Sequence, residues 1–277
     1  VSGAPRTAFV LGGGGLLGAV EVGMLRALLE RGVRPDLVLG TSVGALNGLV
    51  VAADPTPTAV DRLLELWRSV SGEDPVYADG PLRQVGRAVR TGTHLQSALP
   101  LRRRLEAELG DTRFEDLAVE FRCVAACIER SAEHWFDSGP VVPAVMASAA
   151  VPGLLPPAEV DGEHFLDGGV VNSVPLGKAV ELGAERVFVL QVGRVERPLT
   201  VPRRPWEVAR VSFEIARRHR FVRELAELPD HVTAHVLPSG STAADDSPLA
   251  YRDTRRVARR IEAAYEQSSA YLEEHGC

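Results

Sequence analysis

The apolar positions of this chain fall into short runs separated by glycine turns and by stretches with helical spacing. Thr7 to Leu11 is an apolar run that ends in four glycines, Gly12 to Gly15. In the segment Ala19 to Gly32, Val22, Leu25, Leu28 and Leu29 lie at helical spacing, and Gly32 is placed to end the helix. Leu37 to Leu39 reads as a second buried strand, Gly40 to Gly44 as a tight turn and Ala45 to Ala53 as a second helix. Strand, glycine turn and helix, in that order twice, predict a parallel sheet covered by helices.

Asp54-Pro55-Thr56-Pro57 breaks this pattern. Residues 55–115 then carry helical spacing with more Arg and Gly, and read either as a helical cap over a site or as an ordinary peripheral layer. Phe121 to Ile128 predicts a third core strand, and His134 to Phe136 and Val160 to Leu166 shorter ones. Asp161-Gly162 is a turn signal between Glu159-Val160 and His164-Phe165-Leu166. Arg186 to Val192 and His231 to Leu237 complete the strands. Helices are expected over 205–228, with Trp206, Phe213, Phe221 and Leu225 as core anchors, and over 250–274. Ser239 to Asp246 reads as a polar linker, and no repeat is visible. The expectation is one α/β domain over 1–277, with a mostly parallel central sheet flanked by helices on both faces.

Composition narrows the class. With 277 residues, 45% hydrophobic and 25% charged, the chain is neither disordered, nor collagen-like, nor a disulfide scaffold. A net charge of −6 argues against a dedicated nucleic-acid binder, which needs a basic face. Cys123 and Cys127 sit in one apolar strand and read as buried thiols. The longest charge-free stretch, Leu37 to Ala53, is too short and too glycine-punctuated for a membrane span. No leader is visible after Val1, so a cytoplasmic location, at most peripheral to a membrane, is the expectation. No pattern sets an oligomeric state.

Three motifs carry candidate chemistry. Gly40-Thr41-Ser42-Val43-Gly44, fed by a strand and followed by a helix, is a nucleophile-elbow pattern that would expose Ser42 over a helix N-terminus. In Gly12-Gly13-Gly14-Gly15-Leu16-Leu17-Gly18 the glycines free consecutive backbone N–H groups to face one anion, which for a serine hydrolase is the tetrahedral oxyanion. Gly13, Gly15 and Gly18 also satisfy a dinucleotide-binding pattern. That fold wants an acidic residue at the end of the second strand, where Gly40-Thr41-Ser42 stands; Asp36 lies at its beginning. The third motif, Asp167-Gly168-Gly169 after Phe165-Leu166, can present a carboxylate on a turn. None of the seven histidines lies in a triad-like context, and His164, three residues before Asp167, is the one to check. No zinc or calcium ligand spacing is present, so neither a metal nor a cofactor is expected.

Taken together, the ordered motifs resemble the patatin-like phospholipases, serine acyl hydrolases. Gly12 to Gly18 matches the family's glycine-rich oxyanion segment, Gly40 to Gly44 its nucleophile motif and Asp167 to Gly169 its aspartate motif. Ala147-Ser148-Ala149-Ala150-Val151-Pro152 with Pro156-Pro157 resembles a further family segment, with Leu155 where members often carry Phe. The resemblance spans roughly residues 7–190. It implies a three-layer patatin-like fold and a Ser42–Asp167 dyad, with Gly13, Gly14 and Gly15 as oxyanion donors. Gly12, Gly18, Gly40, Gly44, Gly168 and Gly169 would support the motifs, and Asn172 would shape the loop beside the dyad. The implied substrate is a lipid or other acyl ester. Acyl transfer or thioester cleavage by the same dyad, and a non-catalytic lipid or dinucleotide binder, stand as alternatives. Two arginine runs, Arg102 to Arg104 and Arg217, Arg218, Arg220 and Arg223, are candidate contacts for a membrane surface or simply solvated helix faces.

Overall fold

The computed structural model describes residues 4–70, 96–192, 198–240 and 254–277. Strands β1 (Thr7–Leu11), β2 (Leu37–Thr41), β3 (Glu120–Cys127), β4 (Ala132–Phe136), β5 (Ala158–Val160), β6 (Glu163–Asp167), β7 (Arg186–Leu190) and β8 (Thr233–Val236) form one sheet. The run β3-β2-β1-β7-β8 is parallel throughout. Beyond β3 the sheet turns antiparallel, with β4 and β6 on β3 and β5 on β6. The sheet is therefore mixed and mostly parallel, as the strand–glycine–helix pattern implied.

Alternation along the central strands builds two apolar layers. Phe9 and Leu11 of β1, Val38 of β2, and Phe188 and Leu190 of β7 point into one. Ala8 and Val10, Leu37 and Leu39, and Val187 and Val189 point into the other. All of these are fully buried, which is why the central strands read as unbroken apolar runs. The first layer is covered by α1 (Ala19–Glu30), α2 (Val43–Ala53), α3 (Pro57–Val70), α5 (Val141–Ser148) and α8 (Thr254–Glu274), with α4 (Leu99–Leu109) outside α5. The second is covered by α6 (Leu176–Glu181) and α7 (Pro205–Ala226), through Leu176, Ala179 and Phe221.

Local signals act as expected. Gly32 adopts φ 76°, and Val33 N–H donates to the Leu28 carbonyl, a glycine-ended helix terminus. Asp161 (φ 51°) and Gly162 (φ 80°) make the two-residue turn between β5 and β6. Cys123 and Cys127 are buried free thiols. The 55–115 segment resolves partly: α3 buries Ala59, Val60, Leu63 and Trp67 in the first layer against α1 and α2. Residues 71–95, with His94, lie outside the described residues, as do 241–253, which hold most of the expected linker and the start of the last helix. The side chains of Trp206 and Phe213 are likewise outside them. Helix α7 ends at Ala226, two residues before the expected end.

Candidate active site

Strand register brings the two candidate residues together. On β3, residues 123–127 pair with β4 along one edge. The other edge is shared: β2 occupies it up to Thr41 opposite Val124, and β6 takes over with Asp167 opposite Ala125. Because β2 runs parallel and β6 antiparallel to β3, their C-terminal ends meet head to head. Ser42, the next residue after β2, therefore arrives beside Asp167.

Ser42 turns the chain with φ 56° and ψ −122°, a strained conformation for a residue with a side chain. The turn is tight enough that a Cβ on Gly44 would lie 2.4 Å from the Leu11 carbonyl oxygen, and one on Gly40 would lie 2.5 Å from the Ala45 Cα. Ser42 Oγ donates to Asp167 Oδ2 at 2.5 Å. The other carboxylate oxygen accepts from Gly169 N–H at 2.7 Å. Asp167 N–H donates to the Ala150 carbonyl, and Ser42 N–H to Ser148 Oγ at 2.9 Å. Ser42 and Asp167 are only 4% and 6% exposed. Burial pushes the Asp167 carboxyl up from 3.8 to about 6, although the Ser42 and Gly169 hydrogen bonds pull it down.

The glycine loop runs alongside. A Cβ on Gly13 would lie 3.5 Å from Ser42 Cβ. One expectation needs correction here. Gly13 N–H donates to the Ser173 carbonyl at 2.8 Å, so it is not a free oxyanion donor. Gly12 N–H is likewise taken by Leu190. Among the described residues nothing accepts from the N–H groups of Gly14 and Gly15, and Gly15 sits at φ 57°. The Val43 N–H, in the first turn of α2, is also without an acceptor among the described residues. Its signal is its place directly after Ser42, the candidate nucleophile.

Asn172 joins the loops through its backbone. Its carbonyl accepts from Thr41 Oγ1 at 2.9 Å, and its N–H donates to Gly168. Gly168 itself packs where a Cβ would meet the Val124 carbonyl at 2.1 Å. Gly18 packs against Val43, and its carbonyl accepts from Asn47. A buried network that the sequence pattern did not reveal lies beneath: Asn47 Nδ2 donates to Glu21 Oε2 at 2.7 Å, and Trp67 Nε1 to Asn47 Oδ1. Burial raises the Glu21 carboxyl well above the usual range.

His164 makes no hydrogen bond to Ser42 or Asp167 and pairs with Glu129 at 2.7 Å on the surface. Among the described residues no group of His, Cys, Asp and Glu is arranged to hold a metal, and no helix is long and apolar enough to cross a membrane. The arginine runs differ from a uniformly solvated face. Arg102 and Arg104 pair with Glu106 and Glu108 on the outside of α4. Arg217 and Arg220 turn inward, onto the Gly13 and Val171 carbonyls, while Arg223 is exposed. A cavity of about 520 Å³ opens beside α4 and α5, walled by Val142, Pro143, Met146, Ala150, Leu155 and Pro156.

Comparison with known proteins bears on the same region. Residues 9–180 match the family model described as patatin-like phospholipase. The chain is 36% identical over 198 residues to the patatin-like phospholipase domain-containing protein ZK370.4 of Caenorhabditis elegans, covering 68% of this chain and 14% of that protein. It is 32% identical over 195 residues to the lysophospholipase nte1 of Aspergillus terreus, covering 68% of this chain and 12% of that protein. The chain thus spans a small part of the length of these relatives. Among solved structures, VipD from Legionella pneumophila superposes with a TM-score of 0.49 at 15% identity, over 99% of this chain and 68% of that one. On the family match and the identity to its relatives, the chain belongs to the patatin-like phospholipase family.

Proposed function

We propose that the chain is a lipid acyl hydrolase that cleaves carboxylic esters of phospholipids, lysophospholipids or related acyl lipids through a Ser42–Asp167 dyad. The observation that carries this reading is the Ser42 Oγ to Asp167 Oδ2 hydrogen bond on a strained elbow, with N–H groups alongside that have no acceptor among the described residues. Ser42 Oγ adds to the ester carbonyl carbon as its proton passes to Asp167 Oδ2. The carbonyl oxygen becomes the oxyanion, received by the N–H groups of Gly14, Gly15 and Val43. Collapse breaks the ester C–O bond, and the departing alcohol takes the proton from Asp167. Water then attacks the acyl-Ser42 carbonyl and gives a proton to Asp167. Collapse then breaks the bond between the acyl carbon and Ser42 Oγ, Asp167 returns its proton to Oγ, and the fatty acid leaves.

A carboxylate is a weak base toward a serine hydroxyl. Its raised affinity for a proton narrows that gap, and the α2 N-terminus stabilises the negative charge that develops. The relatives suggest the substrate class: they are a patatin-like phospholipase domain-containing protein and a lysophospholipase. The outer face of α7 favours contact with a lipid surface, because Val208, Ile215 and Val222 are exposed in steps of seven, with exposed Arg223 beside them. The decisive test is intact mass after fluorophosphonate treatment. One adduct on the wild type and none on Ser42→Ala supports the dyad; a folded wild type that takes no adduct refutes it. Product analysis with a phospholipid, with and without an alcohol acceptor, then separates hydrolysis from acyl transfer.

A further inference from the structure

Helix α7 lies outside residues 9–180, where the family match falls, yet it reaches the glycine loop. The Arg217 side chain is only 7% exposed. Its Nη1 donates to the Gly13 carbonyl at 3.3 Å, its Nη2 to Glu214 Oε2 at 2.9 Å, and its Nε is buried without a partner among the described residues. Glu214, on the same helix, pairs with the buried charge, and the bond to the Gly13 carbonyl carries the guanidinium across to the glycine loop. One turn on, Arg220 donates to the Val171 carbonyl at 2.7 Å, just past the Asp167 turn.

The Gly13 carbonyl and the Gly14 N–H belong to one planar trans peptide and point in opposite directions. Holding the carbonyl on the α7 side therefore leaves the Gly14 N–H on the far side of the loop, where no described residue accepts from it. The cation also polarises that peptide and makes its N–H a better donor. Glycine has no side chain to restrain the unit, and Gly14 and Gly15 follow in sequence.

We infer that Arg217 is a positioning residue, which fixes the Gly13–Gly14 peptide so that the Gly14 N–H is aimed at the developing oxyanion. This rests on the hydrolase reading above. It places part of the oxyanion machinery on a C-terminal helix that the motif pattern does not include. Removing a single oxyanion donor typically lowers kcat about 10²–10³-fold, and loosening one should act in the same direction to a smaller degree.

The test compares wild type, Arg217→Met, Arg217→Lys and Glu214→Gln on a soluble short-chain ester, with active sites titrated by fluorophosphonate so that only competent folded protein is counted. Glu214 also receives Arg218, so Arg217→Met does not leave it alone. The expected result is a fall in kcat of about 10–100-fold for Arg217→Met with KM within twofold. Arg217→Lys, which still donates to the carbonyl, should recover most of that loss, and Glu214→Gln should stay within threefold of wild type. The proposal is overturned if Arg217→Met keeps wild-type kcat per titrated site, if Lys does not restore it, or if Glu214→Gln loses as much. A wild type with no Ser42-dependent turnover would instead overturn the hydrolase reading and this inference with it.

Discussion

Replacing Asp167 with Asn should destroy activity and stabilise the fold. The Asp167 carboxyl is buried, and its proton affinity is raised from 3.8 to about 6, with burial as the largest cause. Between these two pH values the folded state holds a proton that the unfolded state has released. Stability then falls as pH rises through that window, and the full loss is present above about pH 6. At about 1.4 kcal/mol per decade of proton affinity, the ionised carboxylate costs about 3 kcal/mol at neutral pH. Asn keeps the geometry: its Oδ1 can accept from Gly169 N–H, and its Nδ2 can donate to Ser42 Oγ, reversing the direction of that bond. Urea unfolding at a series of pH values reads the effect. The variant should be about 2–3 kcal/mol more stable than wild type at pH 8, with the difference closing by pH 4. A variant no more stable than wild type at pH 8, or a gap that does not change with pH, would refute the argument that desolvation sets the Asp167 proton affinity.

Three further outcomes follow from the same geometry. The acid limb of kcat/KM should rise through about pH 6 and level off above it, because Asp167 must be ionised to take the Ser42 proton; a limb near pH 4 would show an ordinary carboxylate. Ser148→Ala removes the acceptor for the buried Ser42 N–H and should lower stability by about 1–3 kcal/mol in a thermal or urea melt. It should also slow labelling of Ser42, and unchanged stability and labelling would remove Ser148 from the elbow. Val208→Asp with Ile215→Asp should reduce sedimentation with anionic vesicles by at least several-fold while short-chain ester hydrolysis persists; equal sedimentation would dissociate α7 from lipid contact.

What the sequence made legible follows from how each feature is encoded. β1 and β2 stood out because both of their faces are buried, and the glycine turns because a Cβ at Gly40 or Gly44 would strike backbone a few residues away or across one strand. The meeting of Ser42 with Asp167 is different. It depends on β2 and β6 sharing one edge of β3 end to end, a register that no local pattern records. Helix α5 gave no amphipathic period, because Val141, Val142, Ala144, Val145, Met146 and Ala147 are all buried. Ser148, at its end, was therefore visible only as part of a family segment. A run of four glycines does not say which N–H groups find acceptors: nothing in it shows that Gly13 N–H is taken by Ser173 while its carbonyl is taken by α7. The arginine run shows the same limit from the other side. Composition reads Arg217, Arg218, Arg220 and Arg223 as one patch, yet 100° per residue sends Arg217 and Arg220 to the loops of the site and Arg223 to solvent. Motifs pick out the proposed reacting side chains, Ser42 and Asp167, because chemistry restricts residue type there. The proposed backbone donors, and the charge proposed to aim one of them, are free of that restriction, so they become visible only once strand register and helix phase are known.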